Sequence, residues 1–296
     1  AVRTRGLTKN FGKRTVVDGL DLAIPRGSVY GFLGPNGSGK STTMKMLLGL
    51  LHPSAGQVFL LGEDPWGEAR ARLMPRIGSM IEHPPGYGHL TGAENMRLLA
   101  RLLNLETTRI DRALELVRLT DHRDRLQRTY SLGMKQRLGI AMALAREPEL
   151  LILDEPTNGL DPAGIEEIRE LMIHLASGGV TVMISSHLLD EIDRMADILG
   201  VLSQGRLVFQ GSRKELFERS IPDLIVVTPQ ANAAANLVRG CRLERNGIRV
   251  QGCGQEDAAR LIVRLVQEGI PIHEVRRLQQ SLEEVFMDLT GGTEAL

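Results

Sequence analysis

The stretch "GFLGPNGSGKSTTMKMLLGLL", residues 31–51, runs from an apolar segment through clustered glycines into a helical period. Gly34, Gly39, Lys40 and Ser41 fit the spacing of a phosphate-binding loop set between a strand and a helix. The chemistry explains the residue types. Glycines let backbone N–H groups turn inward around phosphate oxygens, and the following helix lends the positive end of its dipole. Lys40 sets a cation against the β and γ oxygens, while the Ser41 hydroxyl suits Mg²⁺. With Pro35, Asn36, Gly37 and Ser38 inside the loop and Thr42 just beyond it, residues 34–42 form a candidate site for a nucleoside triphosphate.

Outward from this loop, β-branched runs alternate with helical patterns. "VVDGLDLAI" (16–24) and "SVYGFLG" (28–34) precede it, and "LLILDE" (150–155) and "TVMISS" (181–186) follow. This order predicts an α/β sheet with helices on its faces, a P-loop NTPase fold. Residues 89–148 are almost wholly helical in period, as in "AENMRLLARLL" (93–103) and "IDRALELVRL" (110–119), and read as a helical insertion. Past Gly211 the pattern restarts, and residues 223–278 spell strand, helix, hairpin, helix, strand. That is the ferredoxin-like order βαββαβ, which predicts a small α+β domain over 217–296 beside a main domain over 1–216. In "CRLERNGIRV" (241–250), a turn on Asn246-Gly247 would set Cys241 opposite Gly252 and turn Cys253 to the other face, leaving two unpaired thiols.

Composition narrows the function classes. The 296 residues carry 36 basic and 36 acidic side chains, a net charge of zero, so no general attraction to nucleic acid or an anionic membrane is expected. The apolar runs fall short of the roughly 18 residues a membrane helix needs. The chain opens at Ala1 inside what reads as a first strand, so an initiator methionine is expected to precede it.

A second piece of chemistry is "LLILDEP" (150–156), an apolar strand ending in two acids, one of which needs a cation as partner. Asp154 would hold Mg²⁺, and Glu155 would take the proton from a water attacking the γ-phosphate. The alternative is a pair of acids serving a helix dipole. His187, after "TVMISS", would reach the same phosphate, the alternative being a surface or capping residue. In "YSLGMKQRLGIAMALARE" (130–147), Ser131 and Gly133 sit at a helix start and form a second anion site.

In order and spacing, "GPNGSGKST", "YSLGMKQR", "LLILDEPTNGLDP" and "SSH" resemble the nucleotide-binding subunits of ATP-binding cassette transporters over residues 2 to about 215. The resemblance implies an ATPase that uses ATP and Mg²⁺ and sandwiches two ATP molecules between two copies of itself. Ser131 and Gly133 would grip the γ-phosphate bound to the partner copy, and Asp161 would link the two sites across the interface. Phe11 matches the aromatic that stacks on adenine, and its ring supplies stacking without a hydroxyl. The partner implied is an integral-membrane permease, with the chain on the inner face of the cell membrane. The rival reading is a soluble cassette protein acting on ribosomes or DNA.

One departure narrows the branch. In "GSMIEHPPGYG" (78–88), Glu82 stands where the family usually has a glutamine that meets Mg²⁺ and whose loop touches the permease. This resembles the branch for export of, or immunity to, bacitracin and lantibiotics. The ending "SLEEVFMDLTG" (281–291) resembles that branch and the daunorubicin-resistance ATPases. Glu82 is thus a candidate Mg²⁺ ligand with Ser41 and Asp154, its expected role being coupling to the permease. A metal site from Glu82, His83 and His89 is the alternative.

Overall fold

The structure is a computed structural model and describes residues 1–186, 189–238 and 240–290. It divides into two compact units at Ser212/Arg213. Along the first run β1 (Val2–Phe11), β2 (Arg14–Leu20), β3 (Ala23–Ile24), β4 (Val29–Leu33), α1 (Lys40–Leu47), β5 (Ala55–Leu60), α2 (Arg70–Leu73) and β6 (Ile77–Met80). Then come α3 (Gly92–Leu103), α4 (Thr107–Leu116) and α5 (Leu132–Leu144), followed by β7 (Leu150–Asp154), α6 (Pro162–Ser177), β8 (Thr181–Ser186), α7 (Leu189–Asp193), β9 (Ile198–Ser203) and β10 (Arg206–Ser212).

Two sheets build this unit. In the larger, the order is β10-β9-β4-β8-β7-β6, parallel except for β10 on its edge. Every residue of β4 and β7 is buried, which is why both read as unbroken apolar runs and not as alternating ones. In the smaller, antiparallel sheet, β1 pairs with β2, β3 and β5. Leu7, Leu20, Phe32, Met44, Leu60 and Met183 belong to one buried cluster that joins both sheets to α1. The register sets the site: Leu33 pairs with Ser186, Asp154 with Ser185, and Leu153 with Met80. The loops after β4, β6 and β7 therefore leave from one edge, the carboxyl end of a parallel sheet, where α/β folds bind ligands. The stretch 89–148 holds α3, α4 and α5 and, among the described residues, no strand, as expected of a helical insertion, and α3 starts with a Thr91/Glu94 capping box.

The second unit contains α8 (Arg213–Arg219), β11 (Asp223–Val227), α9 (Ala231–Leu237), β12 (Arg242–Glu244), β13 (Gly247–Val250), α10 (Gln255–Gln267), β14 (Glu274–Leu278) and α11 (Leu282–Thr290). Its sheet has the order β12-β13-β11-β14, antiparallel throughout, over a core that includes Leu224, Val226, Ile248 and Leu265. Buried Asp223 is held by Arg249 at 2.6 Å and by the Gly252 N–H, and Arg249 also pairs with Glu284.

Two expectations shift here. The division falls before α8 and not after residue 216, because α8 packs with α11 of the second unit. The hairpin closes one step earlier, with Glu244 opposite Gly247 and Arg242 opposite Arg249, so Cys241 and Gly252 are not paired. The physical reason is that Gly247 belongs to the strand. A Cβ there would lie 2.0 Å from the Val226 carbonyl oxygen, so β11 can approach only a glycine. Both cysteines are free, Cys253 buried and Cys241 half-buried.

Candidate nucleotide site

Residues from four segments surround one cavity of about 530 Å³. Phe11, Arg14 and Val16 come from the β1–β2 hairpin; Asn36, Gly37, Gly39, Lys40, Ser41 and Thr42 come from the glycine-rich loop and the start of α1. The loop after β6 contributes Glu82 and His83, and the end of β7 contributes Asp154, Glu155 and Asn158. Gly34, Pro35 and Ser38 complete the loop from behind. Lys40 Nζ donates to the carbonyls of Gly34 at 2.6 Å and Pro35 at 3.3 Å, which curls the loop around the ammonium. Gly39 has φ +108°, and a Cβ on it would lie 2.8 Å from the Val16 carbonyl oxygen. Glycine is what lets the loop press against β2 and still enter α1.

The electrostatics favour an anion with a cation beside it. Lys40 is buried, and burial holds its ammonium below the ordinary lysine value while Glu155 and Asp154 oppose that shift. Lys40 Nζ stands 3.9 Å from Glu155 Oε1. Asp154 is buried as well, and its Oδ1 accepts from the Ser185 hydroxyl, whose oxygen accepts the Glu155 N–H at 3.0 Å. Ser185 thus fixes the two consecutive acids, one by side chain and one by backbone. Glu155 itself has φ +51°, a left-handed conformation that holds the residue out of the strand direction.

The donor set suits Mg²⁺. A hydroxyl, Ser41, and a buried carboxylate, Asp154, line the cavity with room for phosphate oxygens, and this ion is commonly bound by one or two side chains plus phosphates. Among the described residues no group of three His, Cys, Asp or Glu could hold a metal ion, so Glu82, His83 and His89 do not form one. The Glu82 carboxylate is engaged by Lys45, whose hydrogen bond holds it below the usual carboxylate range.

Ser131, Gly133 and Asp161 are not in this cavity. They line a second one, of about 540 Å³, with Arg118, His122, Arg137 and Glu167. Ser131 caps α5 by accepting the Met134 N–H at 3.2 Å, and Asp161 caps α6 by accepting the Gly164 N–H at 3.0 Å. The segment after β7 borders both cavities, Glu155 and Asn158 on the first, Gly159 and Asp161 on the second. His187 lies outside the described residues. Phe11 is half exposed, with Lys9 Nζ 5.2 Å from its ring centroid. Sequence reasoning missed Arg14, Val16 and Asn158, and considered His83 only for a metal site that does not form. Arg14 was within reach, because a two-residue turn on "GK" sets it opposite Phe11.

Among the described residues no helix is long and apolar enough to cross a membrane. The ABC transporter family model matches residues 17–158. The bacitracin transport ATP-binding protein BcrA of Bacillus licheniformis is 40% identical over 98% of this chain and 97% of its own. The lantibiotic transport ATP-binding protein SrtF of Streptococcus pyogenes is 42% identical over 74% of this chain and 97% of its own. Among solved structures, cbiO1 of Clostridium perfringens, part of the ABC transporter complex cbiONQ, aligns with a TM-score of 0.67 at 30% identity, covering 74% of this chain and 90% of that one. With the loop, the acidic strand and the capped helix starts in place, the chain belongs to the ABC transporter family, in the branch of the bacitracin and lantibiotic transport ATP-binding proteins.

Proposed function

We propose that the chain is the ATP-hydrolysing subunit of an exporter of an antibiotic or antimicrobial peptide, acting on the cytoplasmic face of the membrane against a separate permease. The observation that carries this reading is the division of the motifs between two cavities. Lys40, Ser41, Asp154 and Glu155 share one, whereas Ser131, Gly133 and Asp161 share the other. One chain therefore holds one half of each kind, and two copies facing each other complete two ATP sites.

In such a site the loop N–H groups and Lys40 bind the β and γ phosphates, and Phe11 stacks on the adenine. Glu155 accepts a proton from the attacking water, a contribution of about 10² to 10⁴ in rate. Ser41 and Asp154 would hold Mg²⁺, with Glu82 at the rim, and a bound ion there would neutralise phosphate charge that develops in the reaction. His187 is assigned to the γ-phosphate by its place after β8. The partner copy's α5 start, at Ser131 and Gly133, closes on the same phosphate. ATP closes the pair and hydrolysis reopens it.

The second unit, by strand order and antiparallel pairing, is ferredoxin-like, and it serves contact between subunits or regulation. The lantibiotic relative matches almost end to end over only 74% of this chain, which supports an accessory role. The named relatives are transport proteins, which leaves action on ribosomes or DNA without support.

Expression with its permease in a susceptible bacterium is expected to raise tolerance to bacitracin or a lantibiotic, and the same pair with Lys40→Met is expected not to. Tolerance unchanged toward every such compound, with ATP turnover intact, would remove the export reading.

A further inference from the structure

Lys45 lies on α1 four residues after Ser41, so it sits one turn further along the same face of the helix. Its carbonyl accepts the N–H groups of Leu50 at 2.9 Å and Leu51 at 3.2 Å, which ends the helix there. Its ammonium reaches Glu82, on the loop after β6. Glu82 has φ +66°, a conformation that a non-glycine residue keeps only when its surroundings impose it, and after His83 come two prolines, Pro84 and Pro85. Glu82 lines the nucleotide cavity; Lys45 does not.

The charges around the cavity give this pair a purpose. Two cations, Arg14 and Lys40, face three carboxylates, Glu82, Asp154 and Glu155, an excess of one negative charge with His83 neutral. The loop N–H groups and Lys40 attract a triphosphate, but the Glu82 carboxylate opposes that attraction unless a further cation offsets it. Lys45 is that cation, and being on α1 it ties the loop to the helix that carries Ser41.

We propose that Lys45 is the positioning residue of Glu82: it holds the carboxylate against α1 and cancels its charge, so that an acid can stand beside a bound triphosphate. The inference rests on the nucleotide reading above. Lys45 acts through Glu82 and not on the ligand, so its effect must vanish when Glu82 carries no charge. Solvent reaches both side chains, which keeps the effect moderate.

The test is calorimetric titration of ATP into the full chain in EDTA, where no divalent cation contributes. Lys45→Met is expected to weaken ATP binding by about fivefold, Lys45→Arg to retain it, and Lys45→Met placed on Glu82→Gln to cost nothing further. An equal loss in both backgrounds would make Lys45 a mere structural part of α1 and overturn the proposal, as would no loss in either. Should Lys45→Met fail to fold, Lys45→Gln provides the same comparison. Failure of the unsubstituted chain to bind ATP would count against the nucleotide reading itself.

Discussion

Replacing Glu155 with glutamine is expected to lower ATP turnover by about a hundredfold or more while ATP binding stays near its original strength. The two side chains have the same shape, and the Glu155 N–H keeps its bond to the Ser185 oxygen, which does not involve the carboxylate. The left-handed backbone at this residue is unchanged, so the amide lies where the acid was. An amide cannot accept the proton of the attacking water, and general-base catalysis of this kind contributes about 10² to 10⁴. Phosphate release measures the turnover and calorimetric titration the binding. Turnover within a few-fold of the original would assign the base elsewhere.

Gly39→Ala is expected to weaken ATP binding by about ten- to a hundredfold, with the unit still folded. A φ of +108° is outside what an L side chain adopts readily, and the added methyl would meet the Val16 carbonyl oxygen at 2.8 Å. Backbone in such a region costs about 1–3 kcal/mol, and each 1.4 kcal/mol is about tenfold in affinity. The loop relieves the strain by moving, and that motion displaces the Ser41 hydroxyl and the Lys40 ammonium, which follow directly in the chain. Circular dichroism checks the fold, and titration with ATP checks the affinity. Unimpaired binding would mean that this loop does not cradle the phosphates.

The loop, the acidic strand and the helix starts were legible in the sequence because each is a local device: spacing alone sets which backbone groups turn inward, and a serine or aspartate before a helix reads as a cap. Asp161 shows the limit. Resemblance gives it a place at an interface, while the structure adds that it caps α6. The Lys45–Glu82 pair was not legible, since its members lie 37 residues apart and meet only because α1 and β6 carry them to one sheet edge. The hairpin of the second unit misled for a related reason. Asn-Gly reads as a turn, but Gly247 is required in the strand by a neighbour, β11, that sequence proximity does not reveal. The place of α8 likewise depended on α11, more than sixty residues downstream.

If two copies complete each other's ATP sites, the mass of the Glu155→Gln chain in solution should report the pairing. With hydrolysis blocked, light scattering after gel filtration in ATP and Mg²⁺ is expected to give twice the mass of the chain, falling to the single mass when ATP is withdrawn or when Ser131→Arg is added. A single mass under every condition, with ATP demonstrably bound, would mean that the two halves do not complete each other's sites.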